Sequence, residues 1–186
     1  MGNTPPPVNE LSVPNPISPY GASKLAAEGY CSAFAESYGL DVVILRFANV
    51  YGENCLHKIG VINKFFDSLS KNKQLTMYGN CSRDFIYVDD LVRGIHLAIT
   101  AKLKGSNIFH LANGTPVKIS HLAKLIASSM GRTNYNVSQM PHRQGEVETT
   151  FAASKHAMES LGFECQIALD EGIRRTIDWL QSQSLK

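Results

Sequence analysis

Apolar residues between positions 19 and 39 recur at the spacing of an amphipathic helix. Ser18 followed by Pro19 is typical of a helix N-cap and first turn, and Gly39 provides a helix end. The next segment, 42–45, is made only of β-branched and aliphatic residues, which is typical of a parallel strand buried on both faces. A helix followed by a buried strand predicts an α/β fold.

Periodic apolar segments continue along the rest of the chain. Further helices are predicted near 61–70, 90–101, 120–130, 154–160 and 169–183, and strands near 74–77, 84–88, 107–110 and 134–137. Asp89 and Asp90 are expected to cap the helix that follows them. Six prolines within the first 19 residues predict a loop there, because each proline removes a backbone donor and fixes φ.

The composition is that of an ordinary globular chain. Of its 186 residues, 44% are hydrophobic and 18% are charged, and the formal net charge is only +2. No run of basic residues predicts a nucleic-acid partner, and no segment has the roughly 20 apolar residues of a membrane span. Four widely spaced cysteines without a C-x-x-C pair, and six isolated histidines, indicate free thiols in a reducing cytoplasm and no metal site.

Tyr20 and Lys24 are the first candidates for chemistry. They are four residues apart near the start of the predicted helix, so their side chains project from one face about one turn apart. An ammonium group beside a phenol favours the phenolate, which suits the pair to proton transfer. The spacing by itself also fits an ordinary solvated pair on an amphipathic helix.

Four ordered blocks of sequence give this pair a context. They are residues 15–24 (NPISPYGASK), 45–52 (LRFANVYG), 77–91 (MYGNCSRDFIYVDDL) and 143–147 (RQGEV). Together they resemble the extended short-chain dehydrogenase/reductase family, especially NAD-dependent epimerases and dehydratases of the UDP-glucose 4-epimerase type. The resemblance covers most of the chain. It implies the C-terminal portion of a Rossmann-type α/β fold, together with the small α/β region that binds the substrate.

By this resemblance Tyr20 and Lys24 are the catalytic pair. Tyr20 would act as general acid and base on a sugar hydroxyl while hydride moves to or from NAD. Lys24 would support the phenolate and hydrogen-bond the nicotinamide ribose. Tyr20, Lys24 and Phe47 are therefore also expected to contact the cofactor.

The resemblance assigns five further residues to a nucleotide-sugar, which we expect to be a UDP-sugar. Asn49 would hold the substrate at the carboxyl end of the buried strand, where open α/β sheets bind ligands. Arg83 and Arg143 would grip the diphosphate. Tyr78 would line the base pocket, and Glu146 would hydrogen-bond the ribose. The alternatives are a turn-forming role for Asn49, surface ion pairs for the arginines and core packing for Tyr78.

Parts of the family's machinery have no counterpart in this sequence. Neither G-x-G-x-x-G nor G-x-x-G-x-x-G occurs, so the turn that receives a dinucleotide pyrophosphate is missing. The family's catalytic Ser or Thr is absent too, because its position falls at Met1-Gly2. We therefore expect a truncated domain without its N-terminal dinucleotide-binding strands. Its parts would be a proline-rich loop at 1–19, the catalytic helix and strand at 20–52, and a mainly substrate-binding region at 53–186.

The resemblance implies epimerisation as the leading function, by transient NAD-dependent oxidation at the sugar C4 in the full-length protein. The chain alone is expected to bind no NAD and to be inactive. A nucleotide-sugar 4,6-dehydratase or reductase is one alternative, and a non-catalytic sugar-nucleotide-binding or interaction module is another. The exposed edge of the apolar strand and its flanking helix predict a homodimer or higher oligomer.

Overall fold

The structure is a computed structural model that describes residues 2–184, so that Met1 lies outside the described residues. Within this range the chain forms six helices and nine strands. The helices are α1 (Pro19–Tyr38), α2 (Val61–Ser70), α3 (Val88–Thr100), α4 (Ile119–Ser129), α5 (Lys155–Leu161) and α6 (Leu169–Ser184). The strands are β1 (Val42–Phe47), β2 (Asn49–Tyr51), β3 (Leu75–Tyr78), β4 (Ser82–Arg83), β5 (Phe85–Tyr87), β6 (Ser106–Leu111), β7 (Val117–Lys118), β8 (Val137–Met140) and β9 (Thr149–Thr150).

Helix α1 begins and ends where the sequence predicts. The Ser18 hydroxyl accepts a hydrogen bond from the Gly21 amide at 3.1 Å, and Pro19 occupies the first turn. Gly39 ends the helix with a φ of 64°, a left-handed conformation that glycine adopts without strain. Of the described residues of α1, only Ala35 is buried, so the helix is only lightly packed on the rest of the chain.

Strand β1 pairs in parallel with β6, with Val42 beside Ser106 and Phe47 beside Leu111. Strand β2 pairs in parallel with β5. The α/β prediction is thus confirmed. The prediction that 42–45 is buried on both faces is wrong, because within this segment only Ile44 is buried. The reason is that a groove lined by Val43 and Leu45 stays open between α1 and β1, and that β6 is the one strand beside β1 in the described sheet.

The second group of strands lies further along the chain. Strand β3 pairs in parallel with β8, and β4 lies between β7 and β9. The strand predicted at 134–137 begins instead at Val137, since the pairing with β3 starts there. Strands β2, β4, β7 and β9 were not predicted, because segments of two or three residues have no measurable period. β5 is equally short, but it lies within the longer, mostly apolar segment 84–88 and was predicted.

Two hydrophobic clusters form the core. One joins α2, α4 and α6 with β3 and β5, and the other joins α3 and α5 with β6. A buried carboxylate supports the second cluster: Asp90 accepts hydrogen bonds from the Gln166 and Ile167 amides, both at 3.0 Å. The expected capping role of Asp89 and Asp90 is wrong, since α3 begins at Val88 without a side-chain cap and the Asp90 carboxylate binds a distant loop. Both carboxylates do lie in the first turn of α3, where they complement the helix dipole.

Cysteine state, possible metal ligands and helix hydropathy complete the description of residues 2–184. All four cysteines carry free thiols. Among residues 2–184 no group of three or more His, Cys, Asp or Glu side chains is placed to hold a metal ion. Over the same residues, none of the helices has both the length and the apolar character needed to traverse a bilayer.

Candidate functional site

A cleft of about 460 Å³ lies beside β3, β4 and the first turn of α2. Its size falls within the range of small-molecule sites. The cleft is lined by all five residues that the sequence assigned to a nucleotide-sugar, namely Asn49, Tyr78, Arg83, Arg143 and Glu146. Apolar walls complete it, formed by Ile59, Val61, Phe65, Met77, Phe85 and Ile119. The structure therefore brings together residues that are almost 100 positions apart in the sequence.

Two strand pairings explain this convergence. The pairing of β3 with β8 places Met140 beside Tyr78. The pairing of β4 with β9 places Thr149 beside Ser82. The loop 141–148 is consequently held at both ends next to β3 and β4, and it carries Arg143 and Glu146 into the cleft.

Arg143 stacks on the aromatic wall of the cleft. Its guanidinium carbon lies 3.7 Å from the centroid of the Tyr78 ring, a cation–π distance. Its Nη1 also donates to Oε1 of Glu146 at 3.2 Å. The contacts with Tyr78 and then with Glu146 raise the pKa of the Arg143 guanidinium. The loop approaches Gly79 so closely that a Cβ at that position would lie 2.8 Å from the His142 ring. Glycine is therefore needed there for the loop to reach its position.

Arg83 is held by backbone carbonyl groups of its own strand and of loop 141–148. Its Nη1 donates to the carbonyl oxygens of Ser82 at 2.9 Å and Glu148 at 3.0 Å. Its Nη2 lies 3.7 Å from Oε2 of Glu146. Glu146 therefore stands between the two arginines, with one carboxylate oxygen toward each of them.

Asn49 is held by the backbone of Asp84, whose own side chain is buried. Its Nδ2 and its backbone amide both donate to the carbonyl oxygen of Asp84, at 2.8 and 3.0 Å. The Asp84 side chain accepts the amides of Asn113 and Gly114 at 3.2 and 2.9 Å, and of Ala152 at the longer distance of 3.5 Å. Burial raises the pKa of Asp84 to about 6 despite these hydrogen bonds. Asn49 is thus held as the first residue of β2 and is not a free turn residue.

The first turn of α2 is a cleft element that sequence reasoning missed. Val61 and Lys64 line the cleft. The helix has neither a side-chain cap nor an acidic residue in its first turn, so the partial positive charge of its N-terminus is not offset there. Gly60 before a periodic segment without an N-cap side chain was the available signal.

Tyr20, Lys24 and Phe47 line a separate groove, also of about 460 Å³, between α1 and β1. The Lys24 ammonium lies 5.4 Å from the centroid of the Tyr20 ring. The Tyr20 side chain is 71% exposed and that of Phe47 is 55% exposed. Only Ala48 separates Phe47, which lines the groove, from Asn49, which lines the cleft, so residues of both cavities follow one another at the carboxyl end of β1.

An ion pair connects the two walls of the groove, α1 and β1. Arg46 of β1 donates to both carboxylate oxygens of Glu28 on α1, at 2.9 Å through Nε and 2.6 Å through Nη2. Its Nη1 lies 3.4 Å from Nε2 of the buried His110 on β6. Burial and then the neighbouring Arg46 charge lower the pKa of His110. Such a bidentate, mostly buried pair is far more constraining than a surface one.

Sequence comparison relates this chain to a known protein family. Residues 1–112 match the family described as NAD dependent epimerase/dehydratase. The chain belongs to this epimerase/dehydratase family. It is 35% identical over 182 residues to the putative UDP-glucose 4-epimerase of Methanocaldococcus jannaschii, covering 96% of this chain and 58% of that relative.

Solved structures of the epimerase/dehydratase family superpose on the same region. A UDP-glucose 4-epimerase from Thermotoga maritima, with UDP-glucose, is 32% identical and has a TM-score of 0.87 over 97% of this chain and 58% of that one. A dTDP-glucose 4,6-dehydratase from Streptomyces venezuelae, with NAD bound, is 28% identical and has a TM-score of 0.89 over 97% and 56%. The chain thus spans somewhat more than half the length of these relatives, and its fold is that of a partial extended short-chain dehydrogenase.

Proposed function

We propose that this chain is the substrate-binding portion of a UDP-sugar 4-epimerase and also carries its proton-transfer pair. The convergence of Arg83, Arg143 and Glu146 in one 460 Å³ cleft is the observation that supports this best. Two guanidinium groups beside an aromatic ring suit a nucleoside diphosphate, because planar cations pair with phosphate oxygens while the ring stacks on the base.

The residues divide the ligand among them in this proposal. Arg83 and Arg143 bind the diphosphate, Tyr78 stacks on the uracil, and Glu146 accepts hydrogen bonds from the ribose hydroxyls. Asn49, fixed by Asp84 at the carboxyl end of β1, holds the sugar where the cleft adjoins the groove of Tyr20 and Lys24.

In this proposal, proton transfer is carried out by Tyr20 and Lys24, which line the groove. Tyr20 takes the proton of the sugar C4 hydroxyl as C4 is oxidised and returns it when C4 is reduced, while Lys24 stabilises the phenolate. When NAD is bound, it supplies the hydride acceptor for this oxidation. The groove fits one end of such a dinucleotide, since Lys24 offers a donor for ribose hydroxyls and Phe47 an exposed ring face.

No glycine-rich turn in the sequence fits the pyrophosphate of that dinucleotide. We therefore propose that NAD serves the complete protein and that the chain by itself neither binds NAD nor epimerises. A dTDP-sugar 4,6-dehydratase is the second candidate function, because relatives of that activity match almost as well as the epimerases. The cleft residues serve either enzyme, since both handle a nucleoside diphosphate sugar.

For its setting we propose the cytoplasm and a homodimer or higher oligomer. Three aromatic side chains, Tyr30, Phe34 and Tyr38, follow one another at four-residue intervals on α1, and their exposed fractions are 70%, 51% and 71%. An aromatic stripe of this kind favours association with a second copy. Light scattering that gives only a 20.4 kDa species at micromolar concentration would refute the oligomer.

Isothermal titration of the purified chain with UDP, UDP-glucose, dTDP and NAD tests the function. We expect binding of UDP and UDP-glucose and no micromolar binding of NAD. Tighter binding of dTDP than of UDP would favour the dehydratase. Failure of all three nucleotides that lack nicotinamide to bind would exclude a nucleotide-sugar cleft.

A further inference from the structure

Glu146 already occupies the position between the two arginines of the cleft. Its Oε1 accepts from Arg143 at 3.2 Å, and its Oε2 lies 3.7 Å from Nη2 of Arg83. The carboxylate is therefore an internal anion that holds both guanidinium groups before any ligand arrives. The side chain is 36% exposed, so it has room to leave this position.

An incoming phosphate group has to replace this carboxylate. Both contacts are partly exposed ion pairs, which are individually weak and can be displaced. Displacing them also leaves a negative charge close to the newly bound phosphate. A ligand that offers Glu146 nothing in return is therefore weakened by the exchange.

We propose, on the basis of the proposed function, that Glu146 is a specificity filter that admits nucleoside diphosphates and rejects inorganic phosphate and pyrophosphate. A nucleoside diphosphate presents ribose hydroxyls beside its phosphates, and these donors satisfy the displaced carboxylate. Inorganic pyrophosphate carries the same phosphate charges but no such donor. Glu146 thus converts a site that binds anions in general into one that recognises the junction of ribose and diphosphate.

Titration of the chain with inorganic pyrophosphate and with UDP tests the filter. In Glu146→Gln we expect pyrophosphate to bind about five- to tenfold tighter than in the wild type, because the arginines are freed. UDP affinity is expected to stay the same or to fall, since the lost ribose contact offsets the gain. The selectivity for UDP over pyrophosphate therefore falls at least fivefold. Glu146→Ala should change pyrophosphate binding in the same direction.

Glu148→Gln is the matched control. It changes the same charge two residues away, and among the ion pairs of the described residues none includes the Glu148 side chain. We expect its pyrophosphate affinity to change less than twofold. Equal gains in Glu146→Gln and Glu148→Gln would reduce the effect to net charge and overturn the filter. Unchanged selectivity in Glu146→Gln, with UDP still bound by the wild type, overturns the filter alone. Absence of UDP binding by the wild type overturns the proposed function as well.

Discussion

The guanidinium carbon of Arg143 lies 3.7 Å from the centre of the Tyr78 ring. This contact covers one face of the only aromatic side chain that we assign to the base. A uracil can stack on Tyr78 either on the opposite face or after Arg143 moves toward the diphosphate. In both cases we expect the ring to contribute to nucleoside binding and not to phosphate binding.

Replacement of Tyr78 separates these contributions. We expect Tyr78→Ala to weaken UDP binding by about 1–3 kcal/mol, the contribution of one aromatic ring stacked on one base. Pyrophosphate affinity should change much less, because the arginines remain. Tyr78→Phe keeps the stacking face and serves as the control, so calorimetry should give it nearly wild-type UDP affinity. Equal losses of affinity for UDP and pyrophosphate in Tyr78→Ala would indicate that the ring only positions Arg143.

Each cleft arginine should contribute measurably to UDP-sugar binding. We expect Arg83→Ala and Arg143→Ala to cost about 1.5–3 kcal/mol each, the range of a charge-assisted hydrogen bond. Arg83 should be the more sensitive, since its side chain is 19% exposed against 46% for Arg143 and is preorganised by two carbonyl groups. Arg174→Ala, which removes an exposed charge on α6, is the control. Unchanged UDP affinity in both cleft variants would indicate that Arg83 and Arg143 form only surface ion pairs.

Asp84 should make the free energy of unfolding depend on pH. Its pKa is raised from 3.8 to about 6, so the fold favours the protonated form. That contribution is complete below about pH 4 and is lost as the pH rises through about 6, on the order of 2–3 kcal/mol in total. Urea unfolding of the wild type and of Asp84→Asn between pH 4.5 and 7.5 measures it, because the variant lacks the titrating group. The stability of the wild type relative to the variant should decrease with pH. A constant difference would contradict this assignment.

Asp90 is expected to be the most costly single carboxylate to remove. It is 2% exposed and accepts two backbone amides as well as Nη2 of Arg93 at 2.7 Å. Asp90→Ala leaves both amides without this acceptor and leaves Nη2 of Arg93 only the Glu164 carbonyl oxygen, and we expect a loss of about 3–5 kcal/mol in thermal or urea unfolding. The exposed neighbour Asp89 provides the control, and Asp89→Ala should cost less than about 1 kcal/mol.

Tyr20 is tested in an assembly that supplies an NAD-binding half. There Tyr20→Phe should lower kcat by a factor of about 100 or more, the contribution of a general acid or base. The affinity for UDP-glucose should hardly change, because only the phenolic hydroxyl is lost. Turnover close to that of the unmodified assembly would remove Tyr20 from the proton transfer.

The helices could be predicted from the sequence because each carries its own signal. α1 has its N-cap serine, first-turn proline and terminal glycine within one segment, and α2 was predicted with its observed limits. The short strands could not, since a pair such as Ser82 and Thr149 exists only through contact between segments far apart in the chain. The apolar pattern of 42–45 predicts a strand buried on both faces. The burial that the structure shows depends on the elements that actually pack around β1.

The site was predictable to a different extent. The spacing of Tyr20 and Lys24 placed them on one helix face, as the 5.4 Å contact shows. The grouping of Arg83 with Arg143 came from resemblance, because nothing local in either segment points to the other. The position of Glu146 between them depends on the course of loop 141–148, which two strand pairings determine and which no local pattern encodes.

The ion pair between Glu28 and Arg46 has a consequence for the angular phase of α1. A helix turns by about 100° per residue, so anchoring one side chain sets the direction of all the others. Lys24 and Tyr20 precede Glu28 by four and eight residues and therefore point within about 40° and 80° of the anchored direction. An alanine inserted between Lys24 and Glu28 would rotate both by about 100° away from the groove while leaving every reacting group in the sequence. The orientation of Tyr20 and Lys24 is thus set by a salt bridge one to two turns away from them.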